Sequence, residues 1–244
     1  MEKGNTFREV FKKYISNYDW NEGKIYYPRH EYRYRYLMDI YSKLRQGKSE
    51  VLDIGGGQYA MLAHKMYGDN ATVADVGEPK AFYYLRCHGV GAITWDLCSI
   101  YQPFIGMFDF IFFSEVLEHL PIPAYRVFKK LKDALKPGGV IICTVPNLLC
   151  LENLFSFIFN IPVFVYFKGP TGQDEGHVIM YTKEHLEWQI KQAGFKDFKV
   201  IYGLSLKYHK TIWRNILFIL SFPLFLIPHF RTMLVSTIRK DLDD

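Results

Sequence analysis

From about residue 50 onward, short apolar runs alternate with stretches of helical spacing. EVLDIGG (50–56) is an apolar run closed by glycines, which predicts a buried strand. Residues 59–67 read as a helix and ATVADVG (71–77) as a second strand. Pro79 suits a helix start, and that helix runs through Arg86 to end near Gly89. GAITWDL (91–97) predicts a third strand, and FDFIFFSE (108–115) a fourth, apolar on both faces as a central parallel strand is. Beyond it, Ile122, Tyr125, Phe128, Leu131 and Leu135 recur at steps of three and four. This spacing leaves Arg126, Lys129, Lys130, Lys132 and Asp133 on the wet face of a helix. Pro137, Gly138 and Gly139 are expected to stop it before a fifth strand, VIICTVPN (140–147). Thr182 can cap a helix that carries Leu186, Ile190 and Ala193 and closes at Gly194. FKVIYG (198–203) and TMLVSTIRK (232–240) complete a set of seven strands.

Strands alternating with helices predict a doubly wound α/β fold, a mainly parallel sheet covered on both faces. Residues 1–49 look helical and aromatic and are expected to cap the sheet; residues 50–244 form the main domain. The 244 residues are 49% hydrophobic and 17% aromatic, which excludes disorder and a disulfide-dependent miniprotein. Cys87, Cys98, Cys143 and Cys150 form no CxxC and read as small buried hydrophobes in a reduced compartment. The charged start, MEKGNTFREVFKKY, lacks an apolar signal core, so a cytoplasmic location is expected. A net charge of +5 is too mild for a nucleic-acid footprint. Its densest basic stretch, YYPRHEYRYRYL with Arg29, His30, Arg33 and Arg35, reads as a surface helix of mixed charge, so no nucleic-acid partner is expected.

In a sheet of this kind, ligands bind beyond the carboxyl ends of the strands where the strand order reverses. The first strand delivers Asp53, Gly55, Gly56 and Gly57 to that edge. Glycines admit close backbone approach. The acidic Asp53 repels a pyrophosphate and suits a ligand bearing an ammonium group. Neither a G-x-G-x-x-G nor a Walker lysine is present, and Tyr125-x-x-x-Lys129 sits on a charged helix, outside a dehydrogenase context.

Taken in order, VLDIGGGQY, ADVGEP, WDLCS, FDFIFFSEVLEHLP, LKPGGVIICTVPN and GHVIMYTKEHLEWQIKQAGF resemble the motifs of class I S-adenosylmethionine-dependent methyltransferases, particularly the small-molecule branch. The resemblance runs from about residue 50 to 203. It implies a Rossmann-like domain with S-adenosyl-L-methionine as cofactor. Asp53 would sit near the methionyl ammonium, Gly55 and Gly57 would face the methionine portion, and Asp75 would accept from both ribose hydroxyls. Asp96 would accept from the adenine amino group while Leu97 packs on the ring, and Ser114 and Glu115 would lie at the cofactor's edge. The chain departs from the family where Tyr59 replaces the third glycine, which would narrow the pocket or reshape the first helical turn.

Methyl transfer to a hydroxyl gains from a base that removes its proton. The resemblance places Glu115, Glu118 and His119 on the acceptor-facing loop, with His119 as the base, Glu118 beside it, and His177 on the acceptor side. Each has a structural alternative: the Glu118–His119 pair can stabilise the following turn, and His177 can be a packed histidine. Asp174 and Glu175 adjoin His177 but lack matched ligands elsewhere, so no metal is expected.

Two apolar segments fall outside this scheme, near 148–170 and 212–230. NLFSFIFNIPVFVYF and NILFILSFPLFLIP are too short as helices for a hydrocarbon core of about 30 Å, and prolines interrupt both. Cations border them: Lys168, Lys207, Lys210, Arg214 and Arg231. They predict interfacial contact with a membrane and a small or lipid-linked acceptor, such as a glycan, quinone or isoprenoid, methylated on oxygen. The alternatives are packing on the sheet or a homodimer interface, and, for the whole chain, a catalytically silent scaffold that keeps the fold.

Overall fold

The computed structural model describes residues 6–18, 26–77, 79–163, 176–204, 224 and 226–244. Its centre is a seven-stranded sheet built from β1 (Glu50–Ile54), β2 (Asn70–Asp75), β3 (Gly91–Thr94), β4 (Phe108–Ser114), β5 (Leu135–Pro146), β6 (Asp197–Gly203) and β7 (Met233–Arg239). The order is β3-β2-β1-β4-β5-β7-β6. All neighbours are parallel except β7, which runs antiparallel to β5 and β6. Strand order therefore reverses between β1 and β4, and in sheets of this kind ligands bind beyond the carboxyl ends at such a reversal.

One face of the sheet is covered by α1 (Phe7–Val10, continuing as a wider turn through Phe11–Ser16), α2 (Tyr26–Arg29), α3 (Glu31–Leu44), α4 (Gln58–Tyr67) and α5 (Pro79–Cys87). Here Phe11, Ile15, Leu37, Met38 and Tyr41 from the N-terminal helices join Val51, Phe110, Phe112 and Ile142 of the sheet in one buried cluster. The other face packs α6 (Ala124–Ala134) and α8 (Lys183–Gln192) over Leu52, Ile111, Phe113 and Ile141. The Thr182 hydroxyl caps α8 by accepting the His185 N–H, as its sequence position predicts. The apolar stripe of α6 is buried at Val127, Phe128 and Leu131.

Three expectations shift. Pro137, Gly138 and Gly139 do not stop α6, which ends at Ala134; β5 begins at once at Leu135. Leu135 pairs with Phe108 and Val140 with Phe110, so the residues between them loop out of the ladder. Gly138 adopts a φ of +76°, which a residue with a Cβ resists. All four cysteines are free thiols, but only Cys143 and Cys150 are buried; Cys87 and Cys98 are exposed because they end α5 and follow β3 on the surface. Of the apolar segments, α7 (Leu151–Ile158) is helical and exposes Phe155, Phe157 and Ile158. Residues 164–170 and 212–223, with Asp174 and Glu175, lie outside the described residues. Among the described residues no helix is long and apolar enough to cross a membrane.

The N-terminal helices are fastened to the sheet by a buried carboxylate. Asp69, fully buried just before β2, accepts from the Tyr41 hydroxyl at 2.5 Å, Arg45 Nη2 at 2.7 Å and the Ser49 N–H at 3.0 Å. Replacing it strands three donors, one of them a guanidinium. Asp69→Ala is expected to lower the unfolding free energy by about 3–5 kcal/mol, read by urea denaturation, and a loss under about 1 kcal/mol would show the anchor to be incidental.

Candidate active site

The loop between β1 and α4 is organised by a carboxylate that reaches forward from the strand. Asp53 is 2% exposed, and its Oδ2 accepts the N–H groups of Tyr59 at 2.8 Å and Ala60 at 3.0 Å. These are unsatisfied donors of the first helical turn, and Gly57, at the cap position, has no side chain to serve them. Gly57 holds a φ of +88°, and a Cβ there would lie 2.8 Å from both Leu85 Cδ1 and Val73 Cγ2. Gly55, at φ +106°, would meet Val116 Cγ2 at 3.0 Å. Both positions thus exclude other residues through space and backbone conformation together. Burial pushes the Asp53 carboxyl up to about 7; the two N–H bonds oppose this, and the nearby charge of Asp75 adds to it.

Tyr59 turns away from the crevice. It is buried, stacks on Phe112 with ring centroids 4.8 Å apart, and lies 3.4 Å through its hydroxyl from Ser114 Oγ. The residue in the third-glycine position therefore fills the core under the sheet. Gln58 instead lies along the loop, its side chain against Gly56 and its amide donating to the Tyr27 hydroxyl of α2.

Asp75 and Asp96 stand at the same sheet edge. Asp75 ends β2, half-buried, with Oδ1 accepting the Val76 N–H at 2.6 Å. Asp96 follows β3, is exposed, and accepts the Cys98 N–H at 2.8 Å. Leu97 points inward and is buried with Trp95 and Phe104.

The fourth strand delivers the other half of the site. Ser114 Oγ lies 2.7 Å from Thr144 Oγ1 on β5, which fixes its hydroxyl. Glu115 adopts a φ of +56°, uncommon for a residue with a Cβ, and turns the chain sharply out of β4. Its carboxylate is held by Arg33 Nη1 at 3.0 Å. Arg33 is 5% exposed on α3 and donates also to the Tyr26 hydroxyl at 3.2 Å. The basic-aromatic stretch of α3 is therefore not a surface helix throughout; it inserts a guanidinium into the site. The run of arginines and tyrosines was the only sequence signal for it.

A short 3-10 turn, Leu117–His119, follows. Glu118 is fully buried, and both carboxyl oxygens lack a hydrogen-bond partner among the described residues. Burial, reinforced by the charge of Glu115, pushes its carboxyl well above the usual carboxylate range. His119 Nε2 and His177 Nε2 each lie 3.9 Å from Glu118 Oε1, and the two rings meet edge to face at 5.0 Å. The fold thus brings His177, more than fifty positions further along the chain, to Glu118 and His119. Glu118 and His119 lie on the turn following β4, and His177 on the segment preceding α8.

Residues 29–200 match a family model described as a methyltransferase domain. The chain belongs to the class I S-adenosylmethionine-dependent methyltransferase family. A ubiquinone biosynthesis O-methyltransferase from Thiobacillus denitrificans is 29% identical over 135 residues, 52% of this chain and 57% of that protein, so the match spans little over half of the relative's length. A SAM-dependent methyltransferase from Archaeoglobus fulgidus shares the fold with a TM-score of 0.58 at 17% identity, covering 86% of this chain and 94% of that one. Phosphoethanolamine N-methyltransferase 2 from Haemonchus contortus, solved with S-adenosyl-L-methionine, superposes with a TM-score of 0.59 at 16% identity over 97% of this chain and 60% of that one. Family membership makes S-adenosyl-L-methionine the cofactor. The glycine loop, whose backbone conformation and packing against Val73, Leu85 and Val116 a Cβ would disrupt, and the carboxylates at the sheet edge fit such a ligand.

The raised Asp53 carboxyl has a consequence for stability. As pH rises, the unfolded chain loses this proton near the ordinary value of 3.8, while the folded chain keeps it until about 7. The folded state binds the extra proton between those values, so the contribution of Asp53 to stability falls as pH rises through that window and levels off above it. Chemical denaturation of wild type and Asp53→Asn should show a stability difference that changes between about pH 4 and 7 and is constant outside it. A difference that is flat across the window would contradict the assignment.

Proposed function

We propose that the protein transfers the methyl group of S-adenosyl-L-methionine to an oxygen of a small or lipid-linked acceptor at the cytoplasmic face of a membrane. The observation that carries this reading is that, in a family member, the Asp53–Gly57 loop, Asp75, Asp96 and the turn bearing Glu118 and His119 all follow the carboxyl ends of neighbouring parallel strands, with His177 brought up to that turn. The cofactor, when bound, supplies a methyl group on a positively charged sulfur.

In this reading Asp53 offers negative charge to the methionyl ammonium while capping α4, and the backbone at Gly55 and Gly57 lets the methionine portion approach. Asp75 accepts from the ribose hydroxyls and Asp96 from the adenine amino group. Alignment of the acceptor oxygen contributes on the order of 7–11 kcal/mol to lowering the barrier. His119 takes the acceptor's proton as the methyl group arrives, because a hydroxyl acceptor is still protonated at neutral pH. Glu118 and His177 pack beside the ring, and Ser114 and Glu115 border the methyl-donor side.

The membrane part of the reading rests on exposed apolar surface. Phe157, Ile158, Phe159 and Ile161 of α7 and the turn after it are 53–73% exposed, and Leu226 is 71% exposed near the other segment. Contiguous apolar exposure of this kind marks an interaction surface. The relative named for O-methylation in ubiquinone biosynthesis agrees with a hydrophobic hydroxyl acceptor.

Titration calorimetry with S-adenosyl-L-methionine and its demethylated product tests the core of the proposal. Binding is expected, and Asp75→Ala should weaken it by about tenfold or more, since a hydrogen bond to a charged group is worth about 1.5–3 kcal/mol. An absence of heat for both ligands would instead favour a silent scaffold. With an accepted substrate, His119→Ala should lower turnover by about 10²–10⁴ and leave cofactor affinity within a few-fold. Flotation on anionic lipid vesicles should recover the wild type with the lipid, and Phe157→Asp with Ile158→Asp should leave it at the bottom of the gradient. A wild type that does not float would remove the membrane from the proposal.

A further inference from the structure

We infer that Glu118, His119 and His177 form a binding site for one first-row divalent cation of zinc's chemical class. Their ligand atoms all lie within 4.8 Å of one another. Glu118 Oε1 stands 3.9 Å from the Nε2 of each histidine, and that equal spacing is informative. A carboxylate bonded to an imidazole sits about 2.7–2.9 Å from it, so Glu118 bonds neither ring. Ligands about 2.1 Å from a tetrahedral ion stand about 3.4 Å apart, so closing the carboxylate distances by about 0.5 Å and the widest pair by up to about 1.4 Å would bring these atoms around a common centre.

The second observation is independent of the spacing. Glu118 is fully buried with both carboxyl oxygens lacking a hydrogen-bond partner among the described residues, and it is aimed between the two imidazoles. A buried carboxyl without partners is costly, and a cation small enough to sit between the three groups would relieve the cost. The frame is already rigid. The Glu118 carbonyl accepts the N–H groups of Val178 at 2.8 Å and Ile179 at 3.2 Å, which ties the segment carrying His177 to the turn carrying Glu118 and His119.

Two imidazoles with one carboxylate favour zinc, cobalt, iron or manganese over calcium or magnesium. Three protein ligands leave a coordination position open. This rests on the reading of oxygen methylation above and changes one assignment in it: with the cation bound, His119 Nε2 is a ligand and not the base, the acceptor's proton leaves to solvent, and the cation at the open position would hold the acceptor oxygen in its deprotonated form.

The test needs no methyl donor. The full-length chain, stripped with a chelator, is titrated with Co²⁺ and followed by visible absorption and elemental analysis. One equivalent per chain is expected, with cobalt bands that intensify as a nitrogen-oxygen site of low coordination fills. Glu118→Gln and His177→Ala should each raise the cobalt dissociation constant by more than about tenfold. His177 is one-third exposed, so its replacement spares the core, and the cofactor-binding heat of each variant reports that it is folded. Substoichiometric cobalt in the wild type, or stoichiometric binding that survives both substitutions, would overturn the inference. Either result leaves the methyltransferase reading standing, because cofactor binding is measured separately.

Discussion

The arrangement at the sheet edge depends on one carboxylate performing two tasks. Asp53 lies inside the sheet layer, where burial disfavours its charge, yet it is the acceptor for the first-turn amides of α4. Because Gly57 can adopt the required backbone only by giving up a side chain, the cap must come from elsewhere, and the preceding strand supplies it. The helix N-terminus is then fixed against β1, and Gly55 and Gly57 are held at positive φ. The partial positive charge of the helix end favours the ionised carboxylate, and in the proposed function a ligand ammonium group would favour it further. On that proposal the same atom sets both loop shape and the charge offered to the ligand.

A second coupling runs between the N-terminal helices and the acceptor side. Arg33 crosses from α3 to Glu115, whose left-handed backbone throws the chain from β4 into the turn bearing Glu118 and His119. A buried guanidinium without its partner is strongly unfavourable, so the position of α3 and the conformation of Glu115 constrain one another. The same α3 is anchored at its other end through Tyr41 and Arg45 to Asp69, and Gln58 of the glycine loop reaches Tyr27 of α2. The N-terminal helices therefore act on the site through polar contacts at both ends, beyond covering an apolar face.

How much of this a reader of the sequence could see follows from the range of the interactions. Strand and helix positions were legible because periodicity is local: the alternation from residue 50, the Thr182 cap and the stripe of α6 all involve neighbours within a turn or two. The early start of β5 was not legible. Pro137 and the two glycines after it break a helix and also permit a bulge, and only pairing with Phe108 selects the latter. The placement of Asp53, Gly55, Gly57, Asp75 and Asp96 at or just beyond strand ends could be read from local pattern, while their roles come from the family resemblance and belong to the proposal. Arg33 was read as surface, since its partner lies 82 positions away in sequence and a charged residue among tyrosines gives no local sign of burial. His177 was legible by resemblance, but its approach to Glu118 depends on backbone bonds from residues 178 and 179 that no local pattern announces.

The apolar surface completes the physical argument. A helix such as α7, with Leu151 alone fully buried and Phe155, Phe157 and Ile158 turned outward, gains little from packing on its own domain. In water each exposed side chain forgoes about 1.5–3 kcal/mol of burial, and such exposure on consecutive turns marks an interaction surface. The segment begins just beyond Asn147, whose side-chain amide donates to the carbonyls of His229 and Arg231 beside the second apolar stretch. Asn147 at the end of β5 thus joins the start of the α7 segment to the residues that follow the second apolar stretch, at the carboxyl edge of the sheet where the turn bearing Glu118 and His119 also lies. On the proposed function, that shared edge is the physical reason to link the apolar surface to a hydrophobic acceptor, which a membrane would present to the protein at this edge.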